Sequence, residues 1–251
     1  VFLCHYVLIF IIVLIVSLLS HRLCPHSHHP PNCHSNLSSL SHHYLLIISS
    51  SSLKPSPHHS TTPKMKEIAI SILNAPILTL QKELDILSQS HPQPRIHLDI
   101  IDTSFTNNIS FGPSIINQIL QLHFQFDLHF MIKSPLALLT KIDCTNVSNI
   151  YMHEDVQDYG IAINPDEPVV YKQKVLVMTV YAGEGNQAFI SPGDKIAELK
   201  RQGCYVCVDG GVNLENVGSV RDADCFVIGS AYFRSKDKNA FLNSVYEIVN
   251  G

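Results

Sequence analysis

No acidic residue occurs before Glu67: all 21 Asp and Glu lie at or after it, whereas ten of the 15 histidines lie before Met65. Methionine is also absent from the first 64 residues, and Arg22, Lys54 and Lys64 are the only Lys or Arg among them. A Ser/His/Pro-rich stretch of this kind cannot build a packed core, so residues 1–64 are a different object from residues 65–251. The apolar run at 6–19 taken alone suggests a signal peptide or membrane anchor, but no Lys or Arg precedes it. Serine richness without acids also suits a plastid-type transit peptide. Because Met65 stands directly ahead of the first strand-like pattern, the favoured expectation is that the upstream residues are translated non-coding sequence or a mispredicted start, outside the mature protein. Cys24, His26, His28, His29, Cys33 and His34 are metal-capable types, but prolines and serines around them offer nothing to hold ligands in place, so adventitious binding is expected there.

Other scarcities bound the rest. The net charge is -4 with no basic stripe, which excludes nucleic acid as an expected partner. From Met65 onward only Cys144, Cys204, Cys207 and Cys225 remain. Cys204 and Cys207 form a C-x-x-C, but on a strand a spacing of three puts them on opposite faces. They read as buried free thiols in a reducing compartment, which places the domain in the cytoplasm, with no membrane partner for residues 65–251.

From Glu67 the chain alternates short β-rich runs with helix-like stretches, the signature of βα units and a parallel sheet. Eight strands are predicted, at 67–74, 95–102, 126–132, 147–153, 159–164, 174–181, 205–212 and 225–231. Helices are predicted at 79–90, 113–122, 135–142, 193–202 and 238–250. The fold class is therefore α/β, a (β/α)8 TIM barrel, whose chemistry gathers at the C-terminal strand ends. Residues 154–158 are too few for a crossover helix and 165–173 are cramped, so the barrel is trimmed around the fourth and fifth βα units.

Three strand ends carry chemistry. In IHLDIIDTSF, at 96–105, period two puts His97 and Asp99 on one face and Asp102 on the other. In FDLHFMI, at 126–132, His129 shares its face with Asp127 and Met131, and in YVCVDGGV, at 205–212, Asp209 ends the strand before a Gly-Gly turn. A lone strand-end histidine is more often a hydrogen-bonded core residue, and a lone aspartate a helix cap. Jointly, His97, Asp99, His129 and Asp209 make a nitrogen and oxygen site for a divalent cation such as zinc, manganese or iron. Glycines after the late strands, Gly183, Gly185, Gly210, Gly211 and Gly229 with Ser230, are ordinary turn residues singly, but their clustering suits backbone amides that cradle a phosphate.

At these residues the sequence resembles the ribulose-phosphate 3-epimerase family, over nearly all of residues 65–251. The resemblance runs in order through SILNA (71–75), HLDIID (97–102), HFM (129–131), INP (163–165), VMTVYAGEGNQAF (177–189), DGGVN (209–213) and GSAYF (229–233). It implies an isomerase of carbohydrate metabolism, acting in the pentose phosphate pathway on a ketose phosphate. D-ribulose 5-phosphate would become D-xylulose 5-phosphate through an enediolate, with a metal on His97, Asp99, His129 and Asp209 polarising the C2 carbonyl. Asp99 and Asp209 would be the acid/base pair, Ser71 would contact substrate near the metal, and Met131 and Met178 would line an apolar floor. The phosphate would rest on the amides of Gly183, Gly185, Gly211, Gly229 and Ser230, and the protein would be a homo-oligomer. Asn74, Pro76, Ile101, Thr103, Tyr181, Ala182 and Asn186 depart from the usual family residues, none of them at a metal or acid/base position. Alternative readings are an allulose-6-phosphate 3-epimerase and a sugar-phosphate-binding barrel without activity. The related decarboxylase barrels are disfavoured, because Ile100 and Ile101, not a lysine, lie between Asp99 and Asp102.

Overall fold

The computed structural model describes residues 65–251; the apolar run at 6–19 and the His/Cys cluster at 24–34 lie outside the described residues. Eight strands follow one another: β1 Glu67–Ser71, β2 Arg95–Ile101, β3 Phe126–Met131, β4 Val147–Met152, β5 Gly160–Ile163, β6 Lys174–Met178, β7 Tyr205–Asp209 and β8 Cys225–Ile228. Each pairs in parallel with the next, and β8 returns to β1, closing the barrel. The expected TIM barrel is thus the observed fold.

Alternation along the strands sorts side chains into two layers. Ile96, Leu98 and Ile100 of β2 point outward into the core beneath the helices, with Phe126, Leu128 and Phe130 of β3 beside them. Ala69, Tyr151, Ala162, Leu176, Cys207, Cys225 and Val227 fill the barrel interior. Cys204 belongs to the outer layer and Cys207 to the inner, so the C-x-x-C is split as expected and all four described cysteines are free thiols. Each outward Leu, Ile or Phe contributes about 1.5–3 kcal/mol by leaving water.

The helices are α1 Leu80–Ser88, α2 Pro113–Ile119, α3 Leu136–Leu139, α4 Lys195–Arg201, α5 Ser230–Arg234 and α6 Lys238–Asn250. The sequence explains α6 fully. Asp237 caps it by accepting a hydrogen bond from the Ala240 amide at 2.9 Å, and Phe241, Leu242, Val245 and Val249 recur on one buried face. No helix covers 153–159 or 164–173, as anticipated. The trimming goes further: α3 has only four residues, and β7 joins β8 through a 3-10 turn at Val217–Val220. Among the described residues no helix is long and apolar enough to cross a membrane.

Every strand ends earlier than predicted, β1, β6, β7 and β8 by three residues each. β1 stops at Ser71 because 72–76 turn back, with the Ala75 amide donating to the Ile72 carbonyl at 3.1 Å. β8 stops at Ile228, and Ser230–Arg234, predicted partly as strand, is helical. Burial of Tyr232 against Phe241 of α6, with ring centroids 6.4 Å apart, overrides the β preference of Tyr232 and Phe233.

Below the interior cluster, at the N-terminal strand ends, Arg95 ties the barrel floor together. Its Nη2 lies 2.6 Å from Glu67 Oε2 and its Nε 3.3 Å from Asp127 Oδ2. Nη2 also donates to the Tyr205 hydroxyl at 2.7 Å, and that hydroxyl donates on to Glu67 Oε2 at 2.7 Å. Asp127 is fully buried, and its Oδ1 accepts a hydrogen bond from Asn149 Nδ2 at 2.7 Å.

Candidate active site

Strand register assembles the opposite end. Ser71 pairs with His97, Asp99 with His129, and Met178 with Asp209, so side chains of β1, β2, β3, β6 and β7 occupy adjacent levels inside the barrel mouth. One donor atom from each of His97, Asp99, His129 and Asp209 lies within 4.8 Å of the others, and all four residues are buried. His97 Nε2 sits 3.4 Å from Asp99 Oδ1 and 3.6 Å from Asp209 Oδ2. His129 Nδ1 sits 3.1 Å from Asp99 Oδ1 and 3.6 Å from Asp209 Oδ2. The two carboxylates thus face each other across a pair of imidazoles.

The electrostatics follow from that packing. Burial opposes charge on both histidines, yet the carboxylates outweigh it: His97 is raised to about 9, chiefly through Asp99, and His129 is raised as well. Burial alone would raise Asp99, but His97 and His129 hold it well below the usual carboxylate range. A cation could take the place of those protons. The donor set fits one, since neither ring nitrogen of His97 makes a hydrogen bond although both are buried, an arrangement that otherwise costs free energy.

Above this cluster lies a cavity of about 250 Å³, and every predicted site residue except His97 and His129 lines it: Ser71, Asp99, Met131, Met178, Gly183, Gly185, Asp209, Gly211, Gly229 and Ser230. The two histidines form its sealed floor. Ser71 Oγ donates to Asp99 Oδ2 at 2.6 Å. A Cβ at Gly185 would fall 1.8 Å from Asn74 Nδ2, so a side chain there would have to push the exposed Asn74 amide aside. Gly210 and Gly211, at φ 116° and 64°, make the left-handed turn that follows Asp209.

The profile of the ribulose-phosphate 3 epimerase family matches residues 67–233, which contain every one of these side chains. The chain belongs to that family. Its relatives include ribulose-phosphate 3-epimerase of Encephalitozoon cuniculi, 39% identical over 72% of this chain and 93% of the relative. The Bacillus subtilis ribulose-phosphate 3-epimerase is 28% identical over 72% of this chain and 98% of its own length. The chloroplastic ribulose-5-phosphate-3-epimerase of Arabidopsis thaliana is 30% identical, covering 57% of this chain and 63% of the relative. The protein is accordingly an isomerase acting on carbohydrates, and a sugar phosphate fits this family.

The epimerase site holds residues that sequence reasoning did not single out. His153, just past β4, places Nε2 3.0 Å from His129 Nε2 and stacks on Phe105 with centroids 4.8 Å apart. Burial, then the charge on His129, pushes His153 down to about 3, which suits it to accept a hydrogen bond from His129 Nε2. That fixes the tautomer that leaves His129 Nδ1 free toward the carboxylates. The period-two argument that found His97 and Asp99 would have found it too, for it follows inward-facing Tyr151 by two. Thr179 is the other omission: its hydroxyl donates to the Asp209 carbonyl at 3.0 Å, pinning the end of β7.

His153→Ala is expected to weaken divalent-metal binding by roughly ten- to a hundredfold while leaving the fold intact. Competition against a chelator of known affinity measures this, and an unchanged metal affinity would remove His153 from the site.

Proposed function

We propose that the chain interconverts D-ribulose 5-phosphate and D-xylulose 5-phosphate, with Asp99 and Asp209 as the acid/base pair at C3. The observation that carries this is the buried cluster of His97, Asp99, His129 and Asp209 at the floor of a cavity rimmed by glycine loops. Epimerisation needs one proton-transfer group on each face of the carbon. Asp99 comes from β2 and Asp209 from β7, so they reach the cavity floor from separate parts of the wall. One takes the C3 proton and the other returns a proton to the opposite face, with roles exchanged in the reverse reaction. Ser71, donating to Asp99 Oδ2, holds that carboxylate in place.

A divalent ion held by the four residues, zinc, manganese or iron by the character of the donors, would polarise the C2 carbonyl and lower the cost of negative charge on its oxygen. Met131 and Met178 give the sugar carbons an apolar floor. The amides of Gly183, Gly185, Gly211, Gly229 and Ser230 receive the phosphate. A homo-oligomer belongs to the same reading, supported by exposed Ile77, Leu78 and Ile109, as does a cytoplasmic setting, supported by the free thiols.

The test is a coupled assay on the full chain. Formation of D-xylulose 5-phosphate should be abolished by chelation and restored by one of the three metals, and the metal-loaded protein should melt at higher temperature than the stripped one. A folded, metal-loaded protein that leaves D-ribulose 5-phosphate untouched would sink the pentose reading. Turnover of D-allulose 6-phosphate would then identify a hexulose-phosphate epimerase, and silence on both would identify a binding barrel.

A further inference from the structure

The charge inventory of the cavity is lopsided. Asp99, Glu184 and Asp209 line it with carboxylates, and Arg234 is the one cationic side chain among its lining residues. A cation on the floor cluster offsets Asp99 and Asp209 at the carbonyl end of a substrate. Nothing of that kind serves the other end, where a phosphate would add up to two further negative charges near Glu184.

Arg234 ends α5, the helix that begins at Ser230, and so stands on the wall that carries Gly229 and Ser230. Among the described residues it forms no ion pair. Its side chain meets Asn186, whose Oδ1 accepts from Nη1 at 3.4 Å, a long bond that leaves most of the guanidinium fork unused. Asn186 is held at φ 61°, a left-handed conformation that asparagine tolerates better than most residues, in the loop between Gly185 and Gln187. That loop is anchored from both sides: Gln187 Nε2 donates to the Tyr181 and Glu184 carbonyls at 2.6 and 2.9 Å, and Asn108 Nδ2 to the Gly183 carbonyl at 2.8 Å. The side chain of Asn186 therefore projects from a fixed backbone and meets Arg234 over the rim.

The geometry points to Arg234 as the cation that binds the phosphate end of the substrate, with Asn186 as the positioning residue that holds its guanidinium over the glycine loops. This rests on the sugar-phosphate reading above and adds to it a side chain that discriminates phosphorylated from plain ketoses. A planar guanidinium gives a phosphate two parallel charge-assisted hydrogen bonds, which backbone amides alone do not supply and which a lysine reproduces only as a point charge. Because the phosphate does not react, the contribution should fall on binding of substrate and transition state alike.

The experiment measures inorganic phosphate binding by calorimetry to the metal-loaded full chain and to Arg234→Ala, Arg234→Lys and Asn186→Ala, with KM and kcat for D-ribulose 5-phosphate in parallel. Arg234 is exposed, so the variants should keep the wild-type melting temperature. Arg234→Ala is expected to weaken phosphate binding and raise KM by roughly ten- to a hundredfold with kcat changed only a few-fold. Arg234→Lys should fall between it and wild type, and Asn186→Ala should show a smaller loss of the same kind. Phosphate affinity and KM within twofold of wild type in Arg234→Ala would overturn the assignment, as would a wild type that binds no phosphate. Failure of the pentose reading looks different: phosphate still binds through Arg234, but D-ribulose 5-phosphate is not turned over.

Discussion

Asp209→Asn is expected to lower kcat by roughly a hundred- to ten-thousandfold, the range a positioned acid/base group contributes. Asparagine keeps the shape of the side chain and the turn at Gly210 and Gly211, but it can neither accept nor return a proton at neutral pH. The substitution also removes one anionic donor from a cluster whose atoms lie within 4.8 Å of each other, so metal content has to be measured beside the rate. Asp99→Asn removes the other member of the proposed pair from β2 and should lower kcat over the same range. If Asp209→Asn keeps its metal and retains kcat within tenfold, the proton transfer belongs to another group and the two-aspartate reading is wrong.

The largest stability effect is expected at the far end of the barrel. Arg95→Ala should cost about 3–5 kcal/mol, because it removes the guanidinium from beside a fully buried Asp127 and from Glu67, and truncating one partner of a buried ion pair strands the other charge. The Tyr205 hydroxyl would lose its donor in the same step. Arg95→Lys keeps the charge but not the fork that reaches Glu67 and Tyr205 through Nη2 and Asp127 through Nε, so an intermediate loss is expected. Urea unfolding midpoints compared at constant slope measure both. A loss under about 1 kcal/mol for the alanine variant would mean that water or neighbouring groups satisfy the floor as well as Arg95 does.

Asp127 and Arg95 also show where the sequence stopped being informative. Period two placed Asp127 on the face of His129, which is correct, but the pattern does not say whether an inward carboxylate sits at the chemical end or the sealed end of a barrel. Its partners decide that: Asp127 lies two residues before His129 and faces Arg95 and Asn149, not the cluster cavity. The four cluster residues were legible because each lies in a β-rich run, His97 and Asp99 on one face of theirs, and because ordered motifs surround them. His153 was not singled out, since a single histidine at the end of a run looks like any core histidine until its ring is seen beside His129. The helix at Ser230–Arg234 was hidden for a different reason: Tyr232 and Phe233 favour strands locally, and the burial of Tyr232 against Phe241 sides with the helix. Arg234 was hidden with it, because an arginine outside a strand carries no periodic signal and its neighbour Asn186 lies 48 positions away.

The trimmed side of the barrel has a mechanical meaning. β4 and β5 share two register pairs, Tyr151 with Gly160 and Met152 with Ile161, where β2 and β3 share six. No helix lies over the connections that follow β4 and β5, so this junction has the shortest ladder and the thinnest outer cover at once. Tyr151 fits there only because Gly160 has no side chain, a Cβ at that position coming within 2.7 Å of the ring. A closed barrel hides its strand edges by joining them, and the join is weakest here. Local opening should begin at this seam, where amide exchange is fastest and where two bare edges would first become available to another chain.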